Sequence, residues 1–143
     1  MTWIFSTCIG LVTALWIYFS AGAVTNLLIG PMLGYRIMSC SFLGIVIADE
    51  EGHKKLSKGK FSFVPEVMLY NKENEKSFNR LILEIFPVVL GFSAGIVLSV
   101  LYGGIRGFGR YVLICLLSGL AVICCWHIFI VLKMAVYMYE KEK

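Results

Sequence analysis

The sequence predicts a mainly α membrane protein: three transmembrane helices with a membrane-proximal β-hairpin between the first and the second. Composition is the first reason. Of 143 residues, 59% are hydrophobic and 15% charged, against about 45–50% and about 25% in an average soluble domain. Charge placement is the second. Residues 1–35, 85–105 and 111–132 carry no charged side chain, whereas 14 of the 22 charged residues lie between Arg36 and Arg80 and five lie from Lys133 onward. Block length is the third, because three apolar runs reach the roughly 20 residues that cross about 30 Å of hydrocarbon. The pattern excludes a disordered chain and argues against a soluble enzyme.

The elements follow in order. The first span covers about residues 3–29. Ala21-Gly22-Ala23 has the look of a small-residue cleavage site, but residues 1–16 hold no Lys or Arg, so the basic start of a signal peptide is missing and the span is read as uncleaved. A further apolar run at 37–48 is too short to cross as a helix and is rich in β-branched and aromatic residues. It is read as a strand over 35–47, followed by a charged turn at 48–55 and a second β-rich run at 60–70. Pro65 marks that second run as an edge strand or a bulge. An exposed strand edge can accept another chain, which makes Phe61, Phe63 and Val67 strand-edge binding candidates. Residues 71–80 form a polar lead-in to the second span at about 81–102. A Gly-rich connection at 103–110 is read as a tight external turn whose Arg106 and Arg110 contact lipid head groups. The third span covers about 111–132, with helix continuing toward residue 139, and the tail is 133–143. All of this forms one membrane domain.

Orientation follows from the basic residues. Eight Lys and Arg fall within 36–80 and three in the tail, against two between the second and third spans. This predicts an N-terminus outside, with the hairpin segment 35–80 and the tail in the cytoplasm.

Chemistry-bearing residues are few. Gly91 and Gly95 form a GxxxG that lets another helix approach closely, and Gly119, with Ser118 and Ala121, is a facing surface for it. Glu84 is the one acid inside a span. It is placed in the first helical turn, where a carboxylate is favoured, one turn from Arg80; a substrate or proton role is the other possibility. His127 is an intramembrane polar contact, but Ile123 and Val131 at i±4 offer no second metal ligand. His53 is read as a solvated turn residue. Cys8, Cys40, Cys115, Cys124 and Cys125 have neither zinc nor redox spacing and are read as small apolar residues. No catalytic constellation, cofactor site or metal site is legible. The net charge is just +4 and the basic run at 54–60 is short, which argues against nucleic acid and for an anionic lipid surface.

A resemblance appears at the end of the first span. Ala21-Gly22-Ala23-Val24-Thr25-Asn26-Leu27-Leu28-Ile29-Gly30-Pro31-Met32-Leu33-Gly34-Tyr35, with the strand from Arg36-Ile37-Met38-Ser39 directly after it, resembles the N-terminal part of the site-2-protease (M50) family of intramembrane zinc metalloproteases. The likeness covers about residues 10–70. It implies a core helix that carries HExxH, then a strand pair at the membrane that offers an edge to substrate, and a bacterial cytoplasmic membrane. By the same resemblance the HExxH positions fall on Gly22, Ala23, Val24, Thr25 and Asn26, so both His and the Glu are missing. The family's third ligand, a later Asp, has no counterpart, because no Asp follows Asp49. Zinc hydrolysis needs about three protein ligands and a base.

The expected function is therefore a non-catalytic membrane accessory or binding subunit, an M50-like pseudoprotease. Its expected partners are the lipid bilayer and another membrane protein or a peptide. A transporter subunit or an immunity-type membrane protein is the alternative, and a membrane enzyme using Glu84 or His127 is a third.

Overall fold

The structure is a computed structural model that describes residues 1–50, 53–70 and 77–143. Three helices carry most of the chain: α1 (Thr2–Met32), α2 (Ser77–Tyr102) and α3 (Phe108–Glu142). Each is long and apolar enough to cross a membrane. Their 31, 26 and 35 residues correspond to about 46, 39 and 52 Å, against about 30 Å of hydrocarbon. Most of their apolar side chains are not covered by protein; Val100 and Val122 are 78% and 69% exposed. The hydroxyls of Ser6, Thr7, Thr13, Thr25, Ser93 and Ser99 each donate to the carbonyl four residues earlier, so these polar groups are satisfied within their own helices.

Between α1 and α2 lies a four-stranded antiparallel sheet: β1 (Ile37–Phe42), β2 (Ile45–Glu50), β3 (His53–Lys58) and β4 (Glu66–Leu69), in the order β3-β2-β1-β4. Two strands were expected and four are present among the described residues. The run at 35–47 breaks at Leu43-Gly44, where φ is 50° and 82°. Both central residues of a two-residue hairpin turn are then left-handed, the twist that suits antiparallel strands. The expected charged turn at 48–55 is mainly the paired ends of β2 and β3, with Asp49 opposite Lys54; residues 51–52 lie outside the described residues, as does 71–76 of the polar lead-in. In the second β-rich run only β4 pairs. Phe61 and Phe63 precede it outside any ladder, where Ser62 O accepts a bond from Leu43 N–H; Pro65 has no N–H for a ladder.

α1 ends in a Schellman turn. Gly34 has φ 83°, Tyr35 N–H donates to Gly30 O at 2.9 Å, and Gly34 N–H donates to Pro31 O at 3.0 Å. The Gly34-Tyr35 step is thus the turn that converts the helix into β1. α2 begins at Ser77, so Glu84 stands two turns inside the helix and not in its first turn. The helix dipole acts within the first turn, so it does not account for this carboxylate. The turn between α2 and α3 uses Gly107 at φ 69°.

The contacts divide the chain into two compact units, Met1–Tyr18 with Val88–Lys143, and Phe19–Pro87. The core of the first is Ala14, Val88, Leu120 and Cys124, with Ile17, Tyr18 and Ile123 against it. Helices approach closely at glycine. A methyl at Gly10 would lie 2.7 Å from Cys115 Cβ and 2.8 Å from Leu116 N. One at Gly91 would lie 3.0 Å from Cys124 Sγ, and one at Gly95 3.5 Å from Leu120 Cδ2. The GxxxG of α2 therefore packs on Leu120 and Cys124 of α3. Gly119 does not face it. A methyl there would meet Leu11 Cδ2 at 2.8 Å and Ala14 Cβ at 3.4 Å on α1.

These spacings separate the glycines by consequence. Gly10→Ala is expected to destabilise the purified protein in detergent by about 1–3 kcal/mol, because backbone of α3 must move. Gly95→Ala is expected to be neutral or to stabilise by up to ~1 kcal/mol through helix propensity. Thermal melts of the two variants measure the difference.

Candidate functional site

Within the unit Phe19–Pro87, a cleft of about 480 Å³ opens along α1. Phe19, Ala23 and Asn26, at i, i+4 and i+7, line one wall; Ser62, Val64, Pro65, Glu66 and Val67 line the other. The segment 62–69 runs beside α1. Ser62 and Val64 share the cleft with Phe19, Asn26 reaches Val67, and a methyl at Gly30 would lie 2.9 Å from Leu69 Cδ1.

Asn26 holds the two walls together. Its Nδ2 donates to Val67 O at 3.0 Å, which joins α1 to a terminal strand of the sheet. Ser62 Oγ accepts from Val64 N at 3.2 Å and shapes the turn before Pro65. The lining thus presents an amide, a hydroxyl and the exposed Glu66 carboxylate along an otherwise apolar surface. Glu66 is the one ionisable group in that lining.

The far end of the sheet carries a polar cluster. Arg36 Nε donates to Asp49 Oδ2 at 2.8 Å, and Nη2 lies 2.7 Å from the same oxygen. The Tyr70 hydroxyl donates to Asp49 O at 3.0 Å, its amide donates to Arg36 O at 2.9 Å, and its ring lies under the guanidinium at 5.6 Å. The starts of β1 and of the chain after β4 are tied in this way to the end of β2.

Of the residues singled out in the sequence, Val67 is on β4 at the cleft, and Phe61 and Phe63 stack edge to face at 5.0 Å in the segment before it. His127, on α3, hydrogen-bonds through Nδ1 to the Tyr18 hydroxyl of α1 and meets its ring edge-on at 5.4 Å. Glu84 is half-buried on α2, and His53 is exposed at the start of β3. The five cysteines are free thiols. Among the described residues, no three His, Cys, Asp or Glu side chains gather as a metal site would need. Sequence reasoning missed the structural role of Asn26 and the ligation of Asp49. An amide inside a charge-free helix was the available signal for the first.

Asn26→Ala leaves the Val67 carbonyl without its donor. A loss of about 1–3 kcal/mol is expected, with faster hydrogen exchange concentrated at 66–69. Unchanged exchange there would show that the strand does not depend on this bond.

Comparison with protein-family models, with curated proteins and with solved structures returned no match.

Proposed function

We propose that the chain is an integral membrane protein without catalysis of its own, a metal-free relative of the site-2-protease core over its first half. It acts as an accessory subunit that holds a peptide, or an extended segment of another membrane protein, in the cleft between α1 and residues 62–67. The cleft is the observation that carries this reading. It offers an apolar wall, a few fixed polar groups and the border of a terminal strand, the combination that recognises extended chains. The opposite terminal strand, β3, carries Lys54, Lys55 and Lys58, and lysines on an edge discourage pairing. A single carboxylate without a second titratable group in the lining favours holding over acid–base chemistry. The side chains at Gly22, Ala23 and Asn26 supply no zinc donors of the kind the resemblance requires. The excess of Lys and Arg in 36–80 and in the tail supports an orientation with the sheet and the tail of α3 in the cytoplasm and the N-terminus outside.

Three measurements test this. A photo-crosslinking amino acid at Val64 is expected to capture a discrete polypeptide in membranes, and Ala23→Trp, which fills the cleft, is expected to abolish that band. Capture that survives Ala23→Trp, or lipid adducts alone, overturns the cleft assignment. Metal analysis is expected to find zinc well below one per chain; one zinc per chain overturns the non-catalytic reading. A Lys55→Cys variant is expected to react with an impermeant maleimide only from the cytoplasmic face.

A further inference from the structure

The sheet has a second distinctive region, at the end remote from Arg36, Asp49 and Tyr70. Its tip is the Leu43-Gly44 turn, and a strap of chain is bound to it: Leu43 N–H donates to Ser62 O at 3.0 Å, and Gly59 N–H donates to Gly44 O at 2.9 Å. These bonds bring the segments that carry Phe42, Leu43, Ile45, Phe61 and Phe63 to one end of the sheet, each of the five 41–66% exposed. Lys58, opposite Ile45 in the β2–β3 register, and Lys60 stand at its margin. No acidic residue occurs in 37–48 or 53–65; Glu66, opposite Ser41 in the β1–β4 register, is the acid on the cleft side. The residue at the turn is also unusual. Leu43 sits at φ 50°, where Asn or Gly is the low-strain choice, so an exposed apolar side chain is kept there at a conformational cost.

We propose that this tip is a bilayer-docking element: the five apolar side chains enter the interfacial zone of an anionic membrane while Lys58 and Lys60 pair with lipid phosphates. Two features favour a lipid surface over a protein partner. Five apolar side chains bordered by Lys58 and Lys60, against the single carboxylate of Glu66 on the cleft side, match the layered chemistry of an anionic interface. The tip also lies on the Phe19 side of α1, because Ser62, which holds Leu43, lines the cleft with Phe19. Phe19 belongs to α1, a helix long and apolar enough to cross a membrane. The inference rests on the membrane placement proposed above, but not on what occupies the cleft.

The test uses the full chain in nanodiscs of equal parts phosphatidylglycerol and phosphatidylcholine, with lipids brominated near the head group. Phe61→Trp and His53→Trp place reporters at the tip and at the opposite end, read against the three native tryptophans. Incorporation into the discs tests the membrane placement itself. Quenching at 61 is expected to exceed that at 53 by about twofold or more, as for a side chain buried among acyl chains. The excess is expected to fall in phosphatidylcholine alone and with Lys58→Glu/Lys60→Glu. Leu43→Asn relieves the turn, so it is expected to raise the melting temperature while lowering the quenching at 61. Equal quenching at 61 and 53 overturns the proposal. So does Leu43→Asn that stabilises without changing quenching, or a tip shielded from lipid by a stoichiometric co-purifying polypeptide.

Discussion

The hydrogen bond from Asn26 Nδ2 to Val67 O joins an apolar helix to the border of a sheet, and the arrangement of residues 19–70 depends on it. The Schellman turn at Gly34 sends the chain away from α1 into β1, but a single turn does not decide where a sheet lies. The return contact does. β4 comes back to α1 at Asn26, and Leu69 seats against Gly30 one turn later, where any side chain would collide with it. Two attachments on one helical face fix both the position and the direction of the strand. The remaining strands follow through the β1–β4 and β1–β2 ladders. The cleft is the space left between the same helix and the chain that leads into β4.

The other unit obeys a different constraint. Helices surrounded by lipid gain little from excluding water between them, so close packing and inter-helix polar contacts carry their association. Gly10 and Gly119 bring α3 against α1, and Gly91 brings α2 against Cys124. The Tyr18–His127 hydrogen bond adds a directional contact between α1 and α3. These glycines and the Tyr18–His127 pair, with the Thr7–Cys115 and Trp3–Tyr111 contacts between α1 and α3, set the register of the helices. The all-round apolar surface that remains suits a hydrocarbon solvent, whereas soluble monomers rarely leave large contiguous apolar patches exposed.

The three long helices were legible because apolar blocks without charge admit few other structures. Their ends were not: α2 starts at Ser77 and α3 reaches Glu142, since Asn79, Arg80, Glu140 and Lys141 are compatible with helix and carry no stop signal. The sheet was recognised as β but with half its strands. Leu43-Gly44 lacks the Asn-Gly or Asp-Gly signature of a two-residue turn, and the acidic and basic residues around 48–55 imitate a loop although they alternate across two paired strands. Of the cleft, only Val67 was visible as a binding candidate; Pro65 was read as a strand feature, and Ala23 and Asn26 entered only as positions in the resemblance. Phe19 and Ala23 are ordinary residues of an apolar helix, and they become a wall only because a distant segment is drawn alongside by Asn26. Likewise the partner of Gly119 depended on helix rotation, which a run of near-uniform hydrophobicity does not encode.

The proposed kinship with metalloproteases turns on the same side chain. A zinc ligand must aim a lone pair at the ion, and a second-shell group must hold it there. Asn26 instead aims an N–H at a backbone carbonyl of β4. The two uses compete, because a ligand that points at a metal cannot also serve as the donor that fastens the strand with the same atom. A chain with a donor at this position gains a fixed strand border and gives up the geometry for activating water. Gly22 points the same way: a Cβ there would meet nothing within 4 Å, so the absence of a side chain is not imposed by packing. The helix has room for a side chain at the position where the resemblance would put a first ligand.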